Sequence, residues 1–590
     1  MNLGNDDKIT LEVSNYWELS SPIEINDLGV NNWTWAESQV WFGGGNGTIT
    51  NPYIIENVTI DVDNNFEFCI HIQNSSKYFV IQNCTVMRAT LTGISLMNVS
   101  NSKLILNNAF NNNYVGIGLL DSNNNTISQN TAYINSVGGI GLGNSNFNSI
   151  LDNTVYSNIQ YGIGLGDSSY NTISINIATQ NDHGIGFLNS NNNNISENTL
   201  NNNLVGGIGL SNSHSNSIID NIVGSNGNYG IGLGSSNYNL ILDNTANQND
   251  YYGITLDNSD NNNISANTAN NNGENGINIW YSDNNIISGN TAQFTTWTGI
   301  YLGSSYYNTV SRNTAKDNYY GIHQYDCNEN NISRNTIQNN DGSAIYLESG
   351  DDSTVSRNIV NNNGNGIRLY DSNNNIISGN TINDNVYCGI YWDYSDRNII
   401  TSNILNSNYN GIIFNFCNDN NVSGNIINFS TDAGIRISNS NYNVIRFNTI
   451  TNNDIGIYLI SSNYNDISNN TYSGNNVDIK KYTPPQFPYT LILVMIIVLI
   501  LLIVGMSRIK RRPPPHKGIP TEKTIKKVKQ PEKTIRKFKE DIIIPSEVKE
   551  IPKEQLEDIT LPKISNCTFC GFELSDETLF CTQCGNKIKK

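Results

Sequence analysis

One short pattern recurs seventeen times between Gly93 and Asn470: a small residue, Ile, any residue, a large apolar residue, and an Asn fourteen positions after the first. The anchors are Gly93, Gly116, Gly139, Gly162, Gly184, Gly207, Gly230, Gly253, Gly276, Gly299, Gly321, Ala344, Gly366, Gly389, Gly411, Gly434 and Gly456, always 22 or 23 residues apart. The next residue is Ile in every case, from Ile94 to Ile457. A unit this short cannot bury a core of its own, so neighbouring units must stack and share one. That requirement makes the chain a solenoid.

Alternation within the unit gives the kind of coil. Counting from the anchor, +1 is Ile, and +3 is Leu, Ile, Phe or Trp except at Gln324. Position +11 is Ile, Val or Leu, from Leu104 to Ile467, and +16 is Ala, Val, Leu, Ile or a final Tyr472. The period is two rather than 3.6, and β-branched residues stand between Asn, Gly and Ser turns, which predicts short strands. About three strands per coil would pair in parallel at about 4.8 Å per coil, with right-handed crossovers. The predicted fold is all-β, a right-handed parallel β-helix of about 17–18 coils over residues 51–478, preceded by an N-terminal segment and cap over 1–50. The +14 row, Asn107 to Asn470, predicts a side-chain amide ladder at a corner whose left-handed backbone Asn tolerates. Because anchor to Asn is constant, the 22/23 variation must fall after the Asn.

Charge divides the chain. Residues 1–488 carry 14 basic and 39 acidic side chains, the remainder 19 and 12. No Lys or Arg occurs between Lys103 and Arg312. So acidic a repeat region is not expected to bind nucleic acid.

Past the repeats, Pro484, Pro485 and Pro488 mark a linker over 479–489. Residues 490–507 then contain LILVMIIVLILLIVGM, which with its flank is long enough to cross about 30 Å of hydrocarbon as a helix. Arg508, Lys510, Arg511 and Arg512 follow at once and predict a cytoplasmic tail. The expectation is a single-pass cell-membrane protein with its β-helix outside. MNLGNDDKIT has no apolar stretch, so the export signal this topology needs is expected ahead of Met1. A basic, Pro-rich linker over 508–563 leads to 564–590, where Cys567-x-x-Cys570-Gly and Cys581-x-x-Cys584-Gly supply four thiolates for one structural Zn²⁺. The partner of this ribbon is not legible. The other cysteines, Cys69, Cys84, Cys327, Cys388 and Cys417, are scattered and suggest no chemistry.

With its coil pattern, the opening GNGTITNPYIIENVTID and the run NNNTISQNTA, the chain resembles the NosD-like β-helix repeat proteins, which overlap the carbohydrate-binding and sugar-hydrolase β-helix family. The resemblance spans about residues 44–478 and implies fold more than activity. The terminal segment is similar to the short zinc ribbons of many prokaryotic membrane proteins. NosD is associated with copper delivery, but no copper-binding cluster of His or Met is visible here.

Function is expected on the rows at +2 and +4, which should point outward. The +2 row is Ser95 and then glycine from Gly118 to Gly232, changing at Asn278 to Tyr301, His323, Tyr346, Arg368 and Tyr391. The +4 row changes likewise, to Trp280, Tyr325, Glu348, Tyr370 and Asp393. Aromatic rings interleaved with polar groups suit the apolar faces and hydroxyl edges of sugars. Trp280, Tyr301, His323, Tyr325, Tyr346, Tyr370 and Tyr391 are therefore the candidate ligand residues for an extracellular polysaccharide or glycan. The predicted role is structural, adhesive or glycan-binding. The alternative is a polysaccharide hydrolase or lyase on the face of coils 276–411, using Glu348, Asp393 and Arg368. Sugar hydrolases and lyases of this fold carry denser acid and base motifs, so binding is expected over turnover.

Overall fold

The computed structural model describes residues 17–483, together with Ile497 and Ile500. Three parallel sheets wind along a right-handed solenoid of about 19 turns. Sheet I runs from Ile23–Asn26 to Val477–Tyr482 and holds every anchor strand, for example Gly138–Gly143 and Ser343–Glu348. Sheet II holds the +11 residues and ends at Asp466–Ser468; its first strand, Phe42–Gly44, pairs antiparallel with Tyr53–Glu56, and the rest are parallel. Sheet III holds the +16 residues between Trp17–Leu19 and Thr471–Ser473. Each strand pairs with its counterpart one coil away, as Ile140 does with Ile163.

Strand pairing begins before residue 51 and ends after 478. Trp17 pairs with Val58, Ile23 with Ile70, and Tyr482 with Ile460. These outer turns lack the anchor motif, which is why the repeat count falls short of the turn count. A helical turn, Trp33–Ala36, seats Trp33 against Tyr53, with ring centroids 4.6 Å apart, in the first coils.

The rows +1, +3, +11 and +16 form the continuous core. Gln324 stands among them, fully buried, with no partner for either end of its amide. The anchor must be small because the next coil crosses it closely: a Cβ at Gly139 would lie 2.7 Å from the carbonyl oxygen of Gly162.

Each coil turns four corners, and apart from Val99 and Gly350 at +6 all share one construction. A residue with positive φ comes first, and the next side chain tucks inward to bond the adjacent coil. In the coil of Gly116 the positive-φ residues are Asp121, Asn124, Gln129 and Ile134. The buried partners that follow are Ser122, Asn125, Asn130 and Asn135. The expected +14 ladder is present: the backbone N–H and the amide of Asn107 both donate to Oδ1 of Asn130, each at 2.9 Å. Two further Asn ladders at +9 and +19, and a Ser ladder at +6, repeat the arrangement. One expectation is corrected. The left-handed residue is the one before the ladder Asn, and it is often Ile, Tyr, Asp or Arg. A non-glycine left-handed backbone costs roughly 1–2 kcal/mol, which the buried ladder bonds offset.

The 22/23 variation falls after the +19 Asn, just before sheet I. Three residues, 136–138, link Asn135 to Gly139, whereas Asp182 and His183 alone link Asn181 to Gly184. Sheet III loosens over coils 184–253, where Thr199, Ile222, Thr245 and Thr268 make single bridges only. There side chains replace the strand: Oδ1 of Asn201 accepts from the Gly224 N–H, and Oδ1 of Asn247 from the Asn270 N–H, both at 2.7 Å.

Among the described residues no helix is long and apolar enough to cross a membrane. The segment expected to do so, 490–507, and the cysteine ribbon, 564–590, lie outside the described residues apart from Ile497 and Ile500.

Candidate functional site

Sheet I builds the candidate face. The +1 and +3 side chains enter the core, so +2 and +4 are directed away from it, and parallel pairing aligns them in rows. Tyr301, His323, Tyr346, Arg368 and Tyr391 are consecutive partners along +2. Trp280, Gly303, Tyr325, Glu348, Tyr370 and Asp393 are consecutive along +4.

Directed outward does not mean exposed. Tyr320, the residue before the anchor Gly321, folds over the +2 row, so His323 and Tyr346 are buried while Tyr301 and Tyr391 are half-buried. Only Tyr325 and Tyr370 of the seven candidate ligand residues are exposed, at 44% and 37%. Trp280 lies across Gly303 and stacks on Tyr301, centroids 5.7 Å apart. The same covering explains the glycine strip in earlier coils. Tyr161 is fully buried against it, and a Cβ at Gly164 would come within 2.5 Å of its ring. The strip is a floor for covering side chains.

Coils 299–389 carry a connected polar–aromatic cluster. The imidazole of His323 stacks on Tyr346 at 4.7 Å and meets Glu348 through Nε2–Oε2 at 3.1 Å. Tyr320, from the covering segment, packs on both rings, 5.0 Å from His323 and 5.5 Å from Tyr346. Sequence reasoning missed Tyr320; the signal available was the residue just before each anchor, aromatic also at Tyr161, Tyr229 and Tyr252. The guanidinium of Arg368 lies between Tyr346 and Tyr391, 4.7 and 5.7 Å from the ring centroids. Its Nε is buried without a hydrogen-bond partner, and among the described residues no carboxylate is within ion-pair distance.

The two candidate carboxyls titrate in opposite senses. The hydrogen bond from His323 holds Glu348 below the usual carboxylate range, with Tyr346 and Arg368 acting the same way. Burial pushes the Asp393 carboxyl up, against a 3.2 Å hydrogen bond from Asn415. The phenol of Tyr320 is raised to about 12, chiefly by burial.

The five described cysteines are buried and free. Cys327 and Cys417 replace Ser in the +6 ladder, accepting from the N–H of Ser305 and Ser395 at 3.3 and 3.4 Å. Burial raises Cys69, Cys84, Cys327 and Cys417 to about 12. Among the described residues no group of three or more His, Cys, Asp or Glu could hold a metal.

Two family models match. One, described as periplasmic copper-binding protein (NosD), matches residues 13–183, 272–410 and 389–489. The other, right handed beta helix region, matches residues 138–292. No curated protein matches. Among solved structures, the periplasmic alginate epimerase AlgG is similar at 15% identity over 57% of this chain and 82% of that one, with a TM-score of 0.35. Dettilon tailspike protein (gp208) is similar at 15% identity over 55% and 60%, TM-score 0.28. Alginate lyase from Paenibacillus sp. str. FPU-7 is similar at 11% identity over 45% and 92%, TM-score 0.24. Likenesses this distant carry no argument about chemistry.

Proposed function

The chain belongs to the NosD family of right-handed β-helix proteins, and from that premise we propose that it is a membrane-anchored surface protein that binds glycan on sheet I of coils 276–411. One observation carries the reading. The +2 and +4 rows change from a covered glycine floor to a cluster in which Arg368, held between two tyrosine rings without an ion pair among the described residues, stands beside two exposed rings, Tyr325 and Tyr370. The rings stand two coils apart on one row, about 10 Å, so that one saccharide chain lying along the row can stack on both. The copper in the family's description is not part of the proposal.

In the same proposal, residues 490–507 span the membrane, the solenoid is outside, and Cys567, Cys570, Cys581 and Cys584 hold a structural Zn²⁺ in a cytoplasmic ribbon. All four positions on the metal are then filled, so the ion folds the ribbon and performs no catalysis.

The test is a glycan array probed with the full-length chain. Binding that is lost in Tyr325→Ala and Tyr370→Ala, with the fold intact, supports the reading. Equal binding by wild type and both variants removes it.

A second reading has its own support. Glu348, shifted down by His323, and Asp393, shifted up by burial, stand on one row two coils apart, and such divergence suits a base and an acid. The span of about 10 Å is near the upper end for an inverting glycosidase pair. Turnover on a polysaccharide panel that disappears in Glu348→Gln or Asp393→Asn would replace binding by catalysis.

A further inference from the structure

The +13 corner, between sheets II and III and away from the candidate glycan face, carries a charge pattern that the function above does not use. Reading up the stack, successive coils place Glu197, Asp220, Asp243, Ala266, Gly289, Arg312, Arg334 and Arg357 there. All eight are exposed, and all have positive φ. Three acidic residues, two small ones and three arginines thus share one edge at a pitch of about 4.8 Å.

Within one molecule this arrangement is unfavourable. Like charges on adjacent strands repel, and arginine is not what a left-handed position prefers; glycine occupies it at Gly289, Gly379 and Gly424. The opposite charges cannot relieve one another along the edge. Asp243 and Arg312 are three coils apart, about 14 Å, beyond the screening length of about 8 Å at physiological salt. Among the described residues none of the three arginines forms an ion pair. The adjoining, half-buried row is uncharged in these coils, with +12 reading Ser196, Ile219, Leu242, Ser265, Ser288, Ser311, Ser333 and Ser356.

The order of the eight residues is self-complementary when reversed. Two copies placed edge to edge and antiparallel, with a two-fold axis between Ala266 and Gly289, bring Asp243 to Arg312, Asp220 to Arg334, and Glu197 to Arg357. The symmetry repeats each contact, giving six ion pairs. The smallest side chains fall at the axis, where the two backbones must come closest. Equal coil pitch in both copies keeps all the pairs in register, because the length variation between coils lies after this corner. We propose that this edge is an isologous docking surface for a second copy of the chain.

The experiment measures mass by light scattering on the full-length chain, kept in detergent, at about 20 mM and about 1 M salt, where the screening length falls to about 3 Å. A dimer at low salt that dissociates at high salt is expected. The triple variant R312E/R334E/R357E should be monomeric, and so should E197R/D220R/D243R, each with the wild-type circular dichroism spectrum. Both signs of charge already occur at this backbone position, so the folds should survive. Mixing the two variants should restore a dimer containing one of each, and carrying all six changes on one chain should restore the homodimer. A monomeric wild type at low salt, or a dimer that persists in either triple variant, overturns the proposal. So does failure of the mixture to pair. If the arginine edge instead binds a soluble polyanion while the chain stays monomeric, the occupant is not a second copy.

Discussion

Asn221→Ala is the sharpest test of what holds the coils together. Oδ1 of Asn221 accepts from the backbone N–H of Asn198 at 3.0 Å and from its side-chain amide at 2.9 Å. Its own amide donates to the carbonyls of Ile195 and Ile219 and to Oδ1 of Asn244, at 2.9, 3.0 and 3.0 Å. Alanine leaves the Asn198 N–H and the Ile195 carbonyl without this partner in a site closed to water. Each buried orphan costs about 1–3 kcal/mol, so the variant should lose about 2–6 kcal/mol. That equals or exceeds Ile218→Ala in the same coil, a core truncation worth about 2–5 kcal/mol. Asn221→Asp keeps the acceptor, loses the donor and buries a carboxyl, whose pKa must rise. Its deficit should therefore be largest at neutral pH and shrink as pH falls. Urea titrations followed by far-ultraviolet circular dichroism give the size, and amide exchange at Asn198 gives the place. A cost below about 1 kcal/mol, with Asn198 still protected, would refute the ladder as a principal support and leave the core rows to hold the stack.

Three further outcomes are expected. Cys69, Cys84, Cys327 and Cys417 are raised to about 12 by burial, so the folded state holds protons that the unfolded chain releases near 9. Stability should be unaffected below pH 9 and fall between 9 and 12, by up to about 1.4 kcal/mol per pH unit for each thiol; a flat alkaline profile in the wild type would contradict this. Glu348 is lowered by His323, so its contribution is present above the ordinary carboxylate range and lost as pH falls through the lowered value; in Glu348→Gln the acid limb of a thermal-melt profile should flatten. Protease added to intact cells should remove the Asn-rich repeats and spare the cysteine tail, and protection of the repeats would reverse the proposed topology.

The solenoid was legible because its core rows obey one rule for seventeen coils, and Ile at +1 admits no other period. The outer turns were not, since Trp17–Leu19 and Val477–Tyr482 join the sheets without an anchor motif. The +14 ladder could be read because Asn never varies there. Its companions at +9 and +19 were obscured by Ser353, Thr295 and Ser430 standing in the same rows. The candidate face was half legible. Register gave the rows, but exposure depends on how the link after the +19 Asn folds back, and period-two counting stops at that link. Hence Tyr325 and Tyr370 are open while His323 and Tyr346, at equally outward positions, are covered.

The amide ladders have a sense. Each Asn passes an N–H up to the next coil and receives one from below, so the side-chain dipoles add along the axis and the two ends of the stack are chemically unlike. At the last described coil the amide of Asn475 meets no further Asn among the described residues and turns to the carboxylate of Asp478 at 3.1 Å. The first coils instead hand a backbone N–H, that of Cys84, up to Oδ1 of Asn107. A column with this polarity has a donor end and an acceptor end. Further coils continue it only by joining head to tail, as duplication within the chain would, whereas abutting two like ends would set donor against donor.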